Sequence, residues 1–295
     1  VQGGTWQYGE KDYTNTTLFH DITETFGLGN FSNSELEKAL AGKQCSLSVS
    51  MDGRSNNVNG SSTPKDFETM MQLLYLYFTA PQKDEKTYNT LINMVETALK
   101  NRDLQPETAL SDSIAYYYAQ GNKRYANIKA EDLKNVSLDR SMEIMREQFT
   151  NANNFTFTIT GNFDEQQARQ LACLYIGSLP GKGKAVKTKD ERTLFCGNVN
   201  CDFKRKMETP KPYMVQTYKG TVDNTLRNSI LASFVSEVLT AKLLKVVRED
   251  SSAVYGISAS ASINAEPEKS YAILSISAPI STSEKTDMVL ALTER

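Results

Sequence analysis

At 295 residues the chain has room for one large domain or two of ordinary size, and length alone favours two. Its 33 basic and 35 acidic side chains leave a net charge of −2, and no stretch concentrates lysine and arginine, which excludes a nucleic-acid surface. The longest apolar runs, such as "MMQLLYLYF" at 70–78, fall short of the ~18 residues that a membrane helix needs.

Two helical patterns run together from 14 to 42: "TTLFHDITETFG", closing at Gly27, and "NSELEKALAG", closing at Gly42 with Ser32 or Asn33 as cap. The period then changes to two. "CSLSVSMD" and "NNVNGSST" alternate around a turn at Gly53 and read as a hairpin. Helices are predicted over 64–79, with proline in the first turn, over 84–102 and 106–119, and as a shorter pair across 130–150. "NFTFTITGNF" at 154–163 reads as a strand, and "DEQQARQLACLYIGSLP" as a helix capped by Asp164. "PGKGKAVKTKD" at 180–190 is the most linker-like stretch, which places the domain boundary there and divides the chain into 1–182 and 183–295. The second part has strands near 202–208 and 212–220, a long amphipathic helix over 223–248, a hairpin over 254–279 and the start of another helix.

Both parts contain the order strand, turn, strand, then a helix opened by Ser or Thr, which is an internal repeat of element order. The fold class is therefore α+β: two homologous units, each a largely antiparallel sheet with helices packed on one face. The chain opens on "VQGGTWQYG" without an initiator methionine or signal peptide, and "TDMVLALTER" stops inside a helical pattern. It reads as an internal fragment of a longer protein, with the second unit truncated.

Four cysteines are present, Cys45, Cys173, Cys196 and Cys201. With one histidine in the chain they do not complete a structural zinc site, which wants four S or N ligands. Cys45 and Cys173 read as buried free thiols and the other two as a short loop pair. A Cys196–Cys201 disulfide across "GNVN" would fit an oxidising, extracytoplasmic compartment. Five N-x-[ST] sequons, at Asn15, Asn30, Asn59, Asn135 and Asn154, indicate polar loops and helix caps. Neither "GSLPGKGK" at 177–184 nor "GLGNFS" at 27–32 has the spacing or the preceding strand of a nucleotide-binding loop.

The segment "LFHDITETFG" raises a metal question. A helical zinc protease site needs two histidines plus a carboxylate, as H-E-x-x-H or H-x-x-E-H. His20 has Glu24 at i+4, where the second histidine belongs, and no other histidine exists. This is a helical histidine that pairs with Glu24 or packs on a neighbouring element. In "LLKVVREDSSAVYGISASASI" a helix ends near Arg248 and a strand begins by Tyr255, so a guanidinium and a phenol, both hydrogen-bond donors, flank one loop. The ordinary alternative is an arginine that complements a helix C-terminus and a tyrosine that starts a strand.

Three stretches together resemble one family. "NNFTFTITGNFDEQQARQLACLYIGSLPGK" is similar to the strand, helix and exit that close a domain of the pitrilysin/insulysin family of inverzincin metallopeptidases. "ELEKALAGK" with "DFETMMQLLYLYFTAPQKD" resembles the start of that family's third domain, and "LLKVVREDSSAVYGISASAS" resembles its fourth. The resemblance implies that the chain is the C-terminal, metal-free half of a zinc endopeptidase, a chamber wall for a peptide substrate. It assigns Arg248 and Tyr255 to substrate contact. It puts zinc, and the catalytic residues, in a missing N-terminal half supplied by the same chain or a partner subunit. "LFHDITETFG" then becomes the metal-free counterpart of a zinc helix. The alternative is a degenerate, purely structural or peptide-binding homologue; one form of peptide binding adds an extended peptide to an exposed strand edge.

Overall fold

The computed structural model describes residues 3–103, 105, 108–118, 121, 126–181, 197–204, 212–264 and 270–294. Chain contacts separate two compact units, Val1–Phe203 and Lys204–Arg295. The boundary read from the sequence falls at the start of 182–196, outside the described residues.

The first unit opens with α1 (Tyr13–Thr17) and α2 (Phe19–Thr23), separated at Leu18 with φ −94° and ψ 9°. One helix was expected here. The run of threonines around Asn15 explains the break, since these residues are weak helix formers whose side chains bond to backbone instead: Thr16 Oγ1 donates to Tyr13 O at 3.0 Å. Gly27 does not cap a helix either. It lies in β1 (Gly27–Leu28), where a Cβ would sit 2.3 Å from Phe31 O, so the close backbone approach requires glycine. α3 (Asn33–Ala39) is capped by Ser32 in a full capping box with Glu35, and Gly42 follows at φ 79°.

The first hairpin pairs β2 (Cys45–Met51) with β3 (Asn56–Ser62) in register Val49↔Val58. It turns through Gly53, where Trp6 packs so closely that no Cβ fits. A 3-10 turn, Pro64–Asp66, leads into α4 (Phe67–Thr79); β4 (Pro81–Gln82) then pairs with β1. α5 (Glu85–Asp103) and α6 (Thr108–Tyr118) follow. Of the expected pair across 130–150, the first member is a 3-10 helix, Ala130–Asn135, and the second is α7 (Leu138–Phe149). α8 (Glu165–Leu171) is capped by Asp164, whose Oδ1 accepts Gln167 N at 2.7 Å, and it continues as a π turn, Ala172–Ile176.

Residues 155–160 alternate inward and outward as predicted, and Phe155, Phe157 and Ile159 pack on the core of α4 and α8. No strand is formed there among the described residues. Alternation sets which side chains point inward, but a strand needs a neighbour to bond with, and that partner is not encoded locally. The main core of this unit gathers Phe19, Ile22, Val49, Ile144 and Phe149, with the Phe19 and Phe149 rings stacked at 5.8 Å.

The second unit contains β5 (Tyr213–Thr221), α9 (Leu226–Leu243), β6 (Ser258–Asn264), β7 (Tyr271–Pro279) and α10 (Thr286–Thr293). Its sheet has the order β5-β7-β6, antiparallel throughout. The strand expected over 202–208 is absent at 202–204, and the remainder lies outside the described residues. α9 is capped by Thr225 and runs on as a π turn, Leu244–Asp250. It is not amphipathic as expected: Leu226, Phe234 and Val238 are exposed while Leu243 is buried on the sheet side. Val247, Ala253, Ile276, Ala278 and Val289 form the core of this unit.

Two cysteine readings change. Cys173 is exposed on the π turn after α8 and Cys45 is half-buried in the hairpin, so neither is a buried thiol; Cys201 is exposed and free, and Cys196 lies outside the described residues. Asn15 is no loop residue: it is buried, and its Oδ1 accepts Ser137 N at 2.9 Å.

Candidate substrate-contacting site

His20 is engaged with the first hairpin. Its Nδ1 lies 3.0 Å from Val49 O, and because a carbonyl only accepts, this nitrogen carries the proton. Thr23 Oγ1 donates to His20 O at 2.8 Å and lies 3.4 Å from Val49 O, so the imidazole is the side chain of α2 that chiefly satisfies the edge of β2. One imidazole so engaged, with Glu24 a turn later and no second histidine, does not fit zinc. Among the described residues no cluster of three or more His, Cys, Asp or Glu is placed to hold a metal.

Arg248 and Tyr255 lie at the two ends of one loop in the second unit. Arg248 belongs to the π turn that prolongs α9 to Asp250, two residues past the helix end expected at 248. Tyr255 precedes β6 by three residues; the strand starts later than expected because Val254 is taken up in an isolated bridge to Ile280. Between them the backbone is held on both sides. Ser252 N and Ala253 N donate to Arg248 O and Val247 O at 3.0 and 3.1 Å, and Ser281 N donates to Ala253 O at 3.0 Å. Lys285 Nζ donates to Ser252 O at 2.8 Å. Val247 and Ala253 are fully buried beneath the loop.

Ser252 is the one non-glycine residue with positive φ among those described, at 50°. A left-handed serine costs about 1–2 kcal/mol, and the surrounding bonds hold it there. The result is a rigid loop whose functional groups point to solvent. Tyr255 is 74% exposed and Arg248 is exposed, and neither side chain has a hydrogen-bond or ion-pair partner among the described residues. Two unengaged donors on a rigid, strained loop are available to a ligand's acceptor oxygens.

Sequence reasoning did not find the other charged constellation. Arg140 on α7 binds both oxygens of Asp12, at 2.8 and 3.1 Å, and also Glu143 and Glu147 at 2.9 and 3.0 Å. The Asp12 hydrogen bonds, aided by the two glutamates, raise the guanidinium pKa further above its usual value. These are internal ties across the first unit, with every carboxylate occupied. A cavity of about 300 Å³ lined by Tyr13, Thr17, Leu99, Arg102 and residues 126–128 holds none of the predicted residues. Burial there pushes the Tyr13 hydroxyl up to about 12, and it donates to Ala126 O.

Fold and site together define an α+β module with a donor-bearing loop. The family model described as the Peptidase M16 inactive domain matches residues 137–295, more than half of the chain, and the chain belongs to that family. It is 20% identical over 272 residues to a "Probable zinc protease PqqL" of Haemophilus influenzae, covering 87% of this chain and 27% of that protein. The Escherichia coli protein of the same name is 22% identical over 241 residues, covering 81% and 26%. The chain thus spans about a quarter of these relatives.

Among solved structures, the periplasmic protease PqqL of E. coli superposes with a TM-score of 0.80 at 19% identity, over 99% of this chain and 32% of that one. Pitrilysin gives 0.66 at 14%, over 100% and 32%. A peptidase M16 inactive domain from Pseudomonas fluorescens gives 0.64 at 13%, over 97% and 70%. At these identities the likeness establishes the fold.

Proposed function

We propose that this chain is the non-catalytic C-terminal half of a zinc endopeptidase, divided into a third-domain-like part, 1–182, and a fourth-domain-like part, 183–295. It forms part of the wall of a substrate chamber. Its partner is an N-terminal half that binds the zinc and supplies the metal chemistry, and the enzyme works in the periplasm or another extracytoplasmic space. Membership of the inactive-domain family and the similarity to zinc proteases and a periplasmic protease support this.

The observation that carries the site assignment is the hydrogen-bonded loop presenting two donors that have no partner among the described residues. Arg248 and Tyr255 donate hydrogen bonds to the carbonyl oxygen of the peptide being cleaved. Negative charge builds on that oxygen as the carbonyl carbon becomes tetrahedral, so a donor aimed at it stabilises the transition state more than the bound substrate. Loss of one such donor costs about 100- to 1000-fold in turnover.

The test is steady-state kinetics on the full-length enzyme. Tyr255→Phe removes only the hydroxyl and should lower kcat far more than it raises KM, with zinc content and folding unchanged. Arg248→Ala should do at least as much, with a KM rise where the guanidinium also holds the ground state. Unchanged turnover in both variants would make the pair structural and favour a degenerate peptide-binding or scaffold homologue.

A further inference from the structure

The loop between Arg248 and Tyr255 directs the polar groups of its two central residues in opposite directions. Ser252 N and Ala253 N donate back to the π turn, at Arg248 O and Val247 O. Their carbonyls accept from segment 281–285, which joins β7 to α10. Ser281 donates to Ala253 O twice, from its backbone N at 3.0 Å and from its Oγ at 2.9 Å, and Lys285 Nζ donates to Ser252 O at 2.8 Å.

These two clasps have different origins. The Ser281 bonds lie beside the bridge between Val254 and Ile280, and one of them is made by backbone, so pairing of the chain supplies it whatever the side chain. The Lys285 bond is made by a side chain alone. It reaches the loop's left-handed residue, Ser252 at φ 50°, a conformation that an L residue leaves readily unless its neighbouring peptide groups are held. The peptide joining 252 to 253 is held at both ends: its N–H by Val247 O and its carbonyl by the Lys285 ammonium. A bond from a charged donor is roughly twice as strong as a neutral one. Lys285 is also badly placed for its own helix. It stands at the N-cap of α10 and makes no cap bond there. That position favours Ser, Thr, Asp or Asn, and a cation at that end opposes the helix macrodipole. A side chain that contributes so little to its own element is explained by what it does on the loop.

We infer that Lys285 is a positioning residue for turnover: by holding the 252–253 peptide it sets where the Arg248 guanidinium and the Tyr255 hydroxyl sit against the reacting carbonyl. This rests on the assignment of Arg248 and Tyr255 to substrate contact made above. Lys285 acts through backbone. Arg248 is reached through its own carbonyl, which accepts Ser252 N, and Tyr255 lies two residues beyond Ala253. A displacement of about 1 Å at a positioned group costs up to about 100-fold in rate.

The test is steady-state cleavage of an unstructured peptide by the full-length enzyme. Lys285→Met keeps an unbranched side chain of similar length and removes the ammonium. It should lower kcat by about 10- to 100-fold with little change in KM or in the thermal midpoint, and Lys285→Arg, which keeps a cationic donor, should recover most of that loss. In a Tyr255→Phe background the loss from Lys285→Met should be smaller, because one of the donors it positions is already gone. A kcat that falls in Tyr255→Phe and not in Lys285→Met would overturn this inference and leave the donor assignment standing. Equal losses from Lys285→Met in both backgrounds, or a loss confined to KM or to the thermal midpoint, would do the same. Tyr255→Phe and Arg248→Ala both without effect on kcat would remove the donor assignment and this inference with it.

Discussion

Asn56→Ala should be the most damaging polar substitution in the first unit. Asn56 is 1% exposed at the start of β3. Its Oδ1 accepts Gly4 N at 2.9 Å and its Nδ2 donates to Gln148 Oε1 at 2.8 Å, so one side chain ties the N-terminal segment, the hairpin and α7 together. Gln148 Nε2 continues the chain to Tyr8 OH at 2.8 Å, and that hydroxyl donates to Glu147 Oε2 at 2.8 Å. Burial, and then the Glu147 carboxylate, raise the Tyr8 pKa well above the ordinary phenol value, so it stays a neutral donor. Alanine at 56 leaves Gly4 N–H and Gln148 Oε1 buried without partners. Each orphan costs about 1–3 kcal/mol, giving about 2–6 kcal/mol in total, against about 5–15 kcal/mol for a typical domain. Urea unfolding followed by the fluorescence of Trp6, the single tryptophan, reads this region directly, because Trp6 packs on Gly53 in the hairpin turn. Asn57→Ala is the control: its Nδ2 bonds Asp52 Oδ2 at the exposed turn, and its loss should cost under about 1 kcal/mol. Equal effects of the two substitutions would refute the network as a stabilising tie.

Ser252→Val, which forces a β-branched residue to φ 50°, should destabilise the second unit by about 1–3 kcal/mol in thermal unfolding, whereas Ser252→Gly should be near neutral. Asp66 and Asp84 have folded pKa values below the usual 3.8, Asp66 chiefly through Gln44 N–H and Asp84 chiefly through Thr87 N–H. Depressed carboxylates contribute stability that is fully present above the unfolded value of about 4 and is lost as pH falls through the folded one. The stability gap between the native chain and an Asp66→Asn/Asp84→Asn variant should therefore be constant at neutral pH and close on acidification; a gap that widens below pH 4 would reverse the sign.

Local chemistry made much of this fold readable. Ser32 with Glu35 and Asp164 mark helix starts by side chains that reach their own first turns, and Gly53 marks a hairpin whose strands carry a period of two. What failed depends on distant neighbours. Residues 155–160 have the right alternation but no strand partner among the described residues, Gly27 is chosen for the approach of Phe31 O, and α9 meets the sheet through Ser236 and Thr240 while its larger apolar side chains are exposed, the reverse of what an apolar pattern suggests. For the candidate site, the spacing of Arg248 and Tyr255 was visible, and so was the absence of a second histidine. The left-handed Ser252 and the bonds that fix the loop were not, because serine carries no signal for positive φ and Lys285 and Ser281 come from beyond the hairpin.

The central claim is a division of labour between a zinc-bearing half and this metal-free one. Elemental analysis and cleavage of an unstructured peptide, run side by side on the full-length protein and on the 295-residue chain, test it most directly. The full-length protein should hold one zinc per polypeptide and cleave, while the chain by itself holds none and leaves the peptide intact. One tightly held zinc on the isolated chain, or cleavage by it, would contradict the account.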